Sequence, residues 1–250
     1  MINNATYLFG PPGFVLNLGM CGRYSLTSPE DAMRLLFDLP AGAASAWAQP
    51  RFNIAPSQIA PVVRGSGDAA RPKLVGMTWG LIPSWSRAPV KGGQINARSE
   101  TAAEKPTFRA AYRQRRCLVP SDGFYEWKEI EGGKQPYWIS RTDGAPFVFA
   151  GLWETWSPGQ AADVVSFTIL TTTAAEALHP IHHRMPVILQ DKDFAGWLDP
   201  DSTPQTVLFA PEYAPQMQAR PVSHRVNSPH NDDAACLQQA RIIPVQGRLF

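Results

Sequence analysis

Cysteine is scarce in this sequence. The three present, Cys21, Cys117 and Cys236, are odd in number and nowhere paired at short spacing. That argues against a disulfide framework and leaves no ligand pair at zinc-finger spacing; it suits a reducing cytoplasm. A surplus of one charge is also missing. The chain has 23 Lys and Arg against 21 Asp and Glu, a formal charge of +2, so only local clustering can argue for nucleic acid. No uncharged run approaches a membrane span without Pro, Gly or Asn breaking it, so no membrane partner is expected. The opening stretch MINNATYLFGPPGFVLNLGM has no charged residue. It lacks the basic start and continuous apolar segment of a secretory signal.

What is present points to one medium-sized domain. The 250 residues are 44% hydrophobic and only 18% charged, enough for a large core. The 24 Pro and 19 Gly favour many short elements over long helices. SPEDAMRLLFDLP reads as a helix capped by Ser28, with Pro29 in its first turn and Ala32, Leu35, Leu36 and Leu39 as its buried stripe. APVVR and KLVGMTWGL read as strands. RSETAAEKPTFRAAY reads as two short helices broken at Pro106. CLVPSDGFYEW, QPYWISR, APFVFAGLWE, VVSFTILTTTA and MPVILQ are aromatic, β-branched strand segments. DKDFAGWLD reads as a helix capped by Asp191. The expected fold is α+β: a single domain, mostly β, with a mixed, partly barrel-like sheet and peripheral short helices.

Met20, Cys21 and Gly22 form the pattern of a mature N-terminus, displaced twenty residues into the chain. Residues 1–19 then read as a mis-assigned start, a removable segment or a flexible arm, and the first is the expectation, with the domain spanning 20–250. Removal of Met20 would give Cys21 a free α-amine beside its thiol.

Five clusters carry possible chemistry. MCGRY supplies Cys21 and Arg23; INARSE supplies Asn96, Arg98 and Glu100. SDGFYEW sets Glu126 among Phe124, Tyr125 and Trp127. LHPIHHRMP supplies His179, His182, His183 and Arg184, and FRAAYRQRRC concentrates Arg109, Arg113, Arg115 and Arg116. Each also has a plain alternative. An isolated Cys is most often a buried hydrophobe, Glu126 is able to face solvent from a half-buried strand, Asn96 to cap a turn, and the arginines to form a solvated face. Singly, none decides a function.

Taken in order, MCGRY, RFNIAPSQ, WGLIPSW, INARSET, CLVPSDGFYEWK, FAGLWE, HHRMPVIL and VSHRVNSPHND resemble the SOS-response-associated peptidase family, the abasic-site processing proteins. The resemblance runs from Met20 to about Asn231 and departs at residues 1–19. It implies that Cys21, once N-terminal, traps abasic sites in single-stranded DNA. It further implies Glu126 as general acid/base, His182 as proton donor to the sugar oxygen and Asn96 as the holder of the reacting end. Arg23 and Arg98 would grip phosphates, and Trp85 and Trp127 would stack on unpaired bases. Thr171 is a secondary candidate for orienting the histidine. No cofactor is expected, and no metal, because the lone cysteines give His182 and His183 no partner ligands at finger spacing. The expected partner is single-stranded DNA carrying abasic sites, and the expected protein is a nucleoid-associated monomer. Two rivals stay open at this level: a cysteine peptidase acting on itself or on other proteins, and a passive single-stranded DNA-binding module.

Overall fold

The computed structural model describes residues 22–65, 72–88, 92–159 and 161–240. Cys21 and residues 1–19 lie outside the described residues. In chain order the strands are β1 (Tyr24–Leu26), β2 (Arg51–Ile54), β3 (Ile59–Arg64), β4 (Lys73–Trp79), β5 (Asn96–Arg98), β6 (Arg116–Ser121) and β7 (Gly123–Ile130). They continue with β8 (Gly133–Arg141), β9 (Phe147–Trp156), β10 (Val164–Thr173), β11 (Arg184–Pro186), β12 (Ile188–Leu189) and β13 (Met217–Pro221). Among the described residues four short helices, α1 (Glu30–Phe37), α2 (Ser99–Ala102), α3 (Arg109–Gln114) and α4 (Phe194–Leu198), sit around them.

The long apolar strands close on themselves. β10 pairs β4, β4 pairs β3, β3 pairs β6, β6 pairs β9 and β9 returns to β10, a five-stranded barrel. Closure removes the exposed edges that so many β-branched strands would otherwise present. The ladder is mixed: β10 runs parallel to β4 and β5 and antiparallel to β9 and β11. A second, antiparallel sheet in the order β13-β8-β7-β1-β2 lies beside the barrel. Tyr24 joins the two, its ring packed edge-on against Trp79 at 5.2 Å and Phe149 at 5.8 Å. Phe124 reaches the same cluster against Phe147 and Phe149. Such edge-to-face pairs add about 0.5–1.5 kcal/mol each beyond burial of their area.

The α+β, mostly β single domain therefore stands, and local details differ. α1 begins at Glu30 with Pro29 in the cap position and no side-chain cap bond. The Ser28 backbone N–H donates to Asp122 instead, which also accepts from Ser25, Thr27 and the Thr27 backbone. The buried face of α1 is Met33 and Phe37, followed by Leu39, while Leu35 is 84% exposed. A helix this short presents too narrow a stripe for the Leu35 spacing to be decisive. Asp191 opens a 3-10 turn ahead of α4 without a side-chain cap bond. MPVILQ is two strands, β11 and β12, because the segment leaves β10 and passes to β9.

Candidate active site

Glu126 is set by the first hairpin of the side sheet. β7 pairs β8 through a tight turn, with Glu126 opposite Tyr137. Its other edge takes β1, with Tyr24 opposite Phe124, and the Tyr125 N–H donates to the Arg23 carbonyl at 3.0 Å. That last bond carries the contact one residue beyond the start of β1, next to buried Gly22 in the chain. Glu126 is itself only 4% exposed, although it lies in a strand whose later residues face solvent. The alternation that allowed an outward carboxylate is overridden here by β1 and the neighbouring turn.

His182 arrives from the barrel side. The Leu178 carbonyl accepts from Ile181 N–H and His182 N–H, which folds the chain into a turn just before β11. The imidazole is half-buried, stacked on His183 with centroids 4.5 Å apart, and its Nδ1 lies 4.0 Å from Glu126 Oε1. Burial pushes its pKa below the ordinary histidine value, against a smaller opposing influence from the Arg184 main chain.

Arg184 binds this turn to the barrel. Its guanidinium holds Glu100 through both carboxylate oxygens and donates to the Thr171 carbonyl at 2.7 Å and Thr171 Oγ1 at 3.3 Å. The Arg184 hydrogen bond holds the Glu100 carboxyl below the usual carboxylate range. Thr171 is fully buried and sits opposite Arg98 in the parallel β5–β10 ladder. Asn96 and Arg98 share one face of β5, with buried Ala97 on the other; Asn96 is half-buried and Arg98 exposed.

Arg23 is turned inward. Its Nη1 donates to Asn53 Oδ1 at 3.0 Å and to the Val226 carbonyl at 2.6 Å, and its Nη2 donates to the Asn227 carbonyl at 3.3 Å. Burial lowers its pKa. Asn53 donates to the carbonyls of Val226, Ser228 and Asn231, and Asp232 accepts from Arg51 and from the Phe52 and Asn53 backbone. The loop 224–233 is thereby fastened to β2. Trp127 closes the group: its Nε1 donates to Asn227 Oδ1 at 2.8 Å and its ring faces the Arg23 guanidinium at 6.0 Å.

The structure thus brings Glu126 and His182 together, links Thr171 to Arg184, and places Arg23 against Trp127. Trp85 stands apart on the loop between the paired Leu81 and Gln94, 65% exposed. The arginine run does not form one stripe. Arg116 is buried, donating to the carbonyls of Trp197, Tyr112, Arg113, Asp199 and Ser202, and Arg115 pairs with Glu154 at 2.7 Å. Only Arg109 and Arg113 of that run are exposed. Sequence reasoning gave no role to Asn53, Asp232 or Asn227, although all three lie in the quoted RFNIAPSQ and VSHRVNSPHND segments. Their place in two segments that carry the family resemblance was the available signal.

Known proteins resemble this chain over most of its length. The family model described as SOS response associated peptidase (SRAP) matches residues 20–229. The abasic site processing protein YoaM of Bacillus subtilis is 40% identical over 223 residues, covering 87% of this chain and 97% of that protein. The abasic site processing protein HMCES of Xenopus tropicalis is 29% identical over 260 residues, covering 87% and 78%. A crystal structure of a Bacteroides thetaiotaomicron protein superposes with a TM-score of 0.74 at 26% identity, covering 88% of this chain and all of the other. The chain belongs to the SOS response associated peptidase family.

Proposed function

We propose that the protein recognises abasic sites in single-stranded DNA and captures them covalently through Cys21 as the first residue. The observation that carries the reading is the juxtaposition of Glu126 and His182, 4.0 Å apart, with Glu126 on the strand that pairs β1, which begins at Tyr24, shortly after Cys21 in sequence. The start of the family match at Met20 and the abasic-site names of the relatives support it. Residues 1–20 are absent from the working protein, through a downstream start or removal.

An abasic site presents an aldehyde in equilibrium with a closed sugar. A neutral α-amine, with a reference pKa of about 8, attacks that carbon at neutral pH. The product is a carbinolamine, which loses water to give an iminium ion. The Cys21 thiolate then adds to the same carbon and closes a five-membered thiazolidine. The net change is one water released and two bonds formed to the former carbonyl carbon. Glu126 moves protons onto and off the reacting oxygen and nitrogen, and His182 supplies a hydrogen to the sugar ring oxygen during opening. Asn96 holds the reacting end.

Arg98 contacts a flanking phosphate, which its exposure supports. Arg23 serves DNA binding through the strand and loop it holds together. Exposed Trp85 and half-exposed Trp127 offer stacking surfaces to unpaired bases. The peptidase named in the family description fits here as self-maturation. The same Cys, Glu and His set would hydrolyse the Met20–Cys21 bond and free the amine.

The test is denaturing electrophoresis of purified protein mixed with single-stranded DNA carrying one abasic site, together with the intact mass of the protein. A shifted, heat-stable band from protein beginning at Cys21 is expected. No shifted band from such protein would refute the reading.

A further inference from the structure

The pairing of His182 with the main chain of Arg184 determines which ring nitrogen carries hydrogen. His182 Nδ1 lies 3.1 Å from both the Arg184 backbone nitrogen and the Arg184 carbonyl oxygen. The N–H can only donate and the carbonyl can only accept, so a neutral ring satisfies one of them and not both. β11 is the outermost strand of its sheet. Ala174 N–H donates to the His183 carbonyl, so in the alternating antiparallel pattern the Arg184 peptide groups point away from β10. Among the described residues the Arg184 N–H meets its acceptor at His182 Nδ1.

The two needs are unequal. A buried N–H without an acceptor is among the rarest defects in folded proteins, whereas a carbonyl with an unused lone pair is tolerated more often. Arg184 is 9% exposed, so water is a poor substitute for either group. The peptide is also held from the other end. The guanidinium of the same residue is fixed by Glu100 and by Thr171, leaving the Arg184 main chain little freedom to turn its N–H elsewhere.

We propose that the Arg184 N–H fixes neutral His182 in the tautomer with its hydrogen on Nε2, and that the Glu100–Arg184–Thr171 cluster makes Arg184 a positioning residue for that ring. Glu126 and His183 face the same imidazole, and Lys134 and the Arg184 charge act on it from further away. Of these, Glu126 approaches Nδ1, where protonation would break the Arg184 N–H bond. Nε2–H is then the group free to donate to a substrate oxygen. This last step rests on the function proposed above; the tautomer does not.

The experiment is 15N NMR of the imidazole rings in DNA-free protein with labelled histidine, at a pH where His182 is neutral. The chain has 5 histidines, and a His182→Gln spectrum identifies the signals that belong to residue 182. The expected result is an Nδ1 shift typical of a bare acceptor nitrogen and an Nε2 shift typical of a protonated one. Glu100→Gln, at a carboxylate whose side chain is 48% exposed, removes the charge that pins Arg184 without disturbing the core. It is expected to move both shifts toward the averaged values of a ring exchanging tautomers. A protonated Nδ1 in the parent protein would overturn the proposal, and so would averaged shifts there. Unchanged shifts in Glu100→Gln would overturn the positioning role of Arg184. Because no DNA is present, none of these outcomes depends on whether the protein captures abasic sites.

Discussion

Glu126 Oε1 and His182 Nδ1 lie 4.0 Å apart, contributed by a hairpin of the side sheet and a turn at the edge of the barrel sheet. The distance is too long for a hydrogen bond and short enough for one bridging water or a small shift on substrate binding. Neither residue is near the other in sequence, so the fold as a whole makes the pair.

Glu126→Gln keeps the side-chain size and removes the titrating carboxylate. Adduct formation is expected to slow by about a hundredfold to ten-thousandfold, the usual cost of a lost general acid or base. His182→Ala should also slow it, most where the sugar must open before attack. Single-turnover rates on abasic single strands, with affinity measured on an intact strand of the same length, check this. Wild-type rates in both variants would show that the pair is structural.

Arg23 and Arg98 should separate cleanly. Arg23→Ala leaves Asn53 Oδ1 without its donor and the Val226 carbonyl with the Asn53 amide alone, at about 1–3 kcal/mol for a buried unsatisfied group, so the melting temperature should fall. Arg98→Ala, at an exposed site, should leave the melting temperature unchanged. It should weaken DNA binding across sequences and reduce the slope of log K against log salt by about one. Thermal melts and a salt titration of each variant distinguish them. Equal behaviour of the two would contradict the inward setting of Arg23.

The imidazole of His182 gives a pH signature of stability. Burial holds its folded pKa below the unfolded value of about 6.5. As pH drops below that value the unfolded chain takes up a proton that the folded chain resists. Unfolding is then favoured, and stability falls until the folded ring also titrates. Melting temperatures from pH 8 downward should show less acid sensitivity in His182→Gln than in the parent. An identical dependence would mean that the folded ring titrates normally.

Gly123 tests the junction of the sheets. A Cβ there would run into the indole of Trp138, whose Nε1 donates to Ser25 Oγ at 3.0 Å. Gly123→Ala should therefore lower the melting temperature through displacement of that ring, and the near-ultraviolet circular dichroism should change with it. An unperturbed spectrum would show that the ring adjusts freely.

Much of this fold was legible in the sequence, for identifiable reasons. The β-branched runs that became β3, β4, β9 and β10 are long enough for period and composition to agree, and Pro106 does separate α2 from α3. The Ser28 cap failed because the helix starts one residue later, with Pro29 in the cap position, while Asp122, 94 residues away in sequence, holds the Ser28 N–H. Leu35 failed because the buried face of α1 runs through Met33 and Phe37, one turn apart, and Leu35 projects from the opposite side. Within the site, the residue types of Glu126 and His182 were readable from their clusters, but their approach depends on two separate sheets. The inward turn of Arg23 depends on Asn53 and on a loop some two hundred residues further along. No local pattern carries such information.

The central claim is that Cys21, as the first residue, is the group that bonds to DNA. Its most direct test is the intact mass of the covalent product between protein starting at Cys21 and single-stranded DNA with one abasic site, followed by peptide mapping, in the parent and in Cys21→Ala. The account predicts a product with the mass of protein plus DNA less one water, the DNA remnant on the Cys21 peptide, and no heat-stable product from the alanine variant, which still binds DNA noncovalently. A heat-stable product of the same yield from Cys21→Ala, or a remnant mapped to another residue, would contradict it.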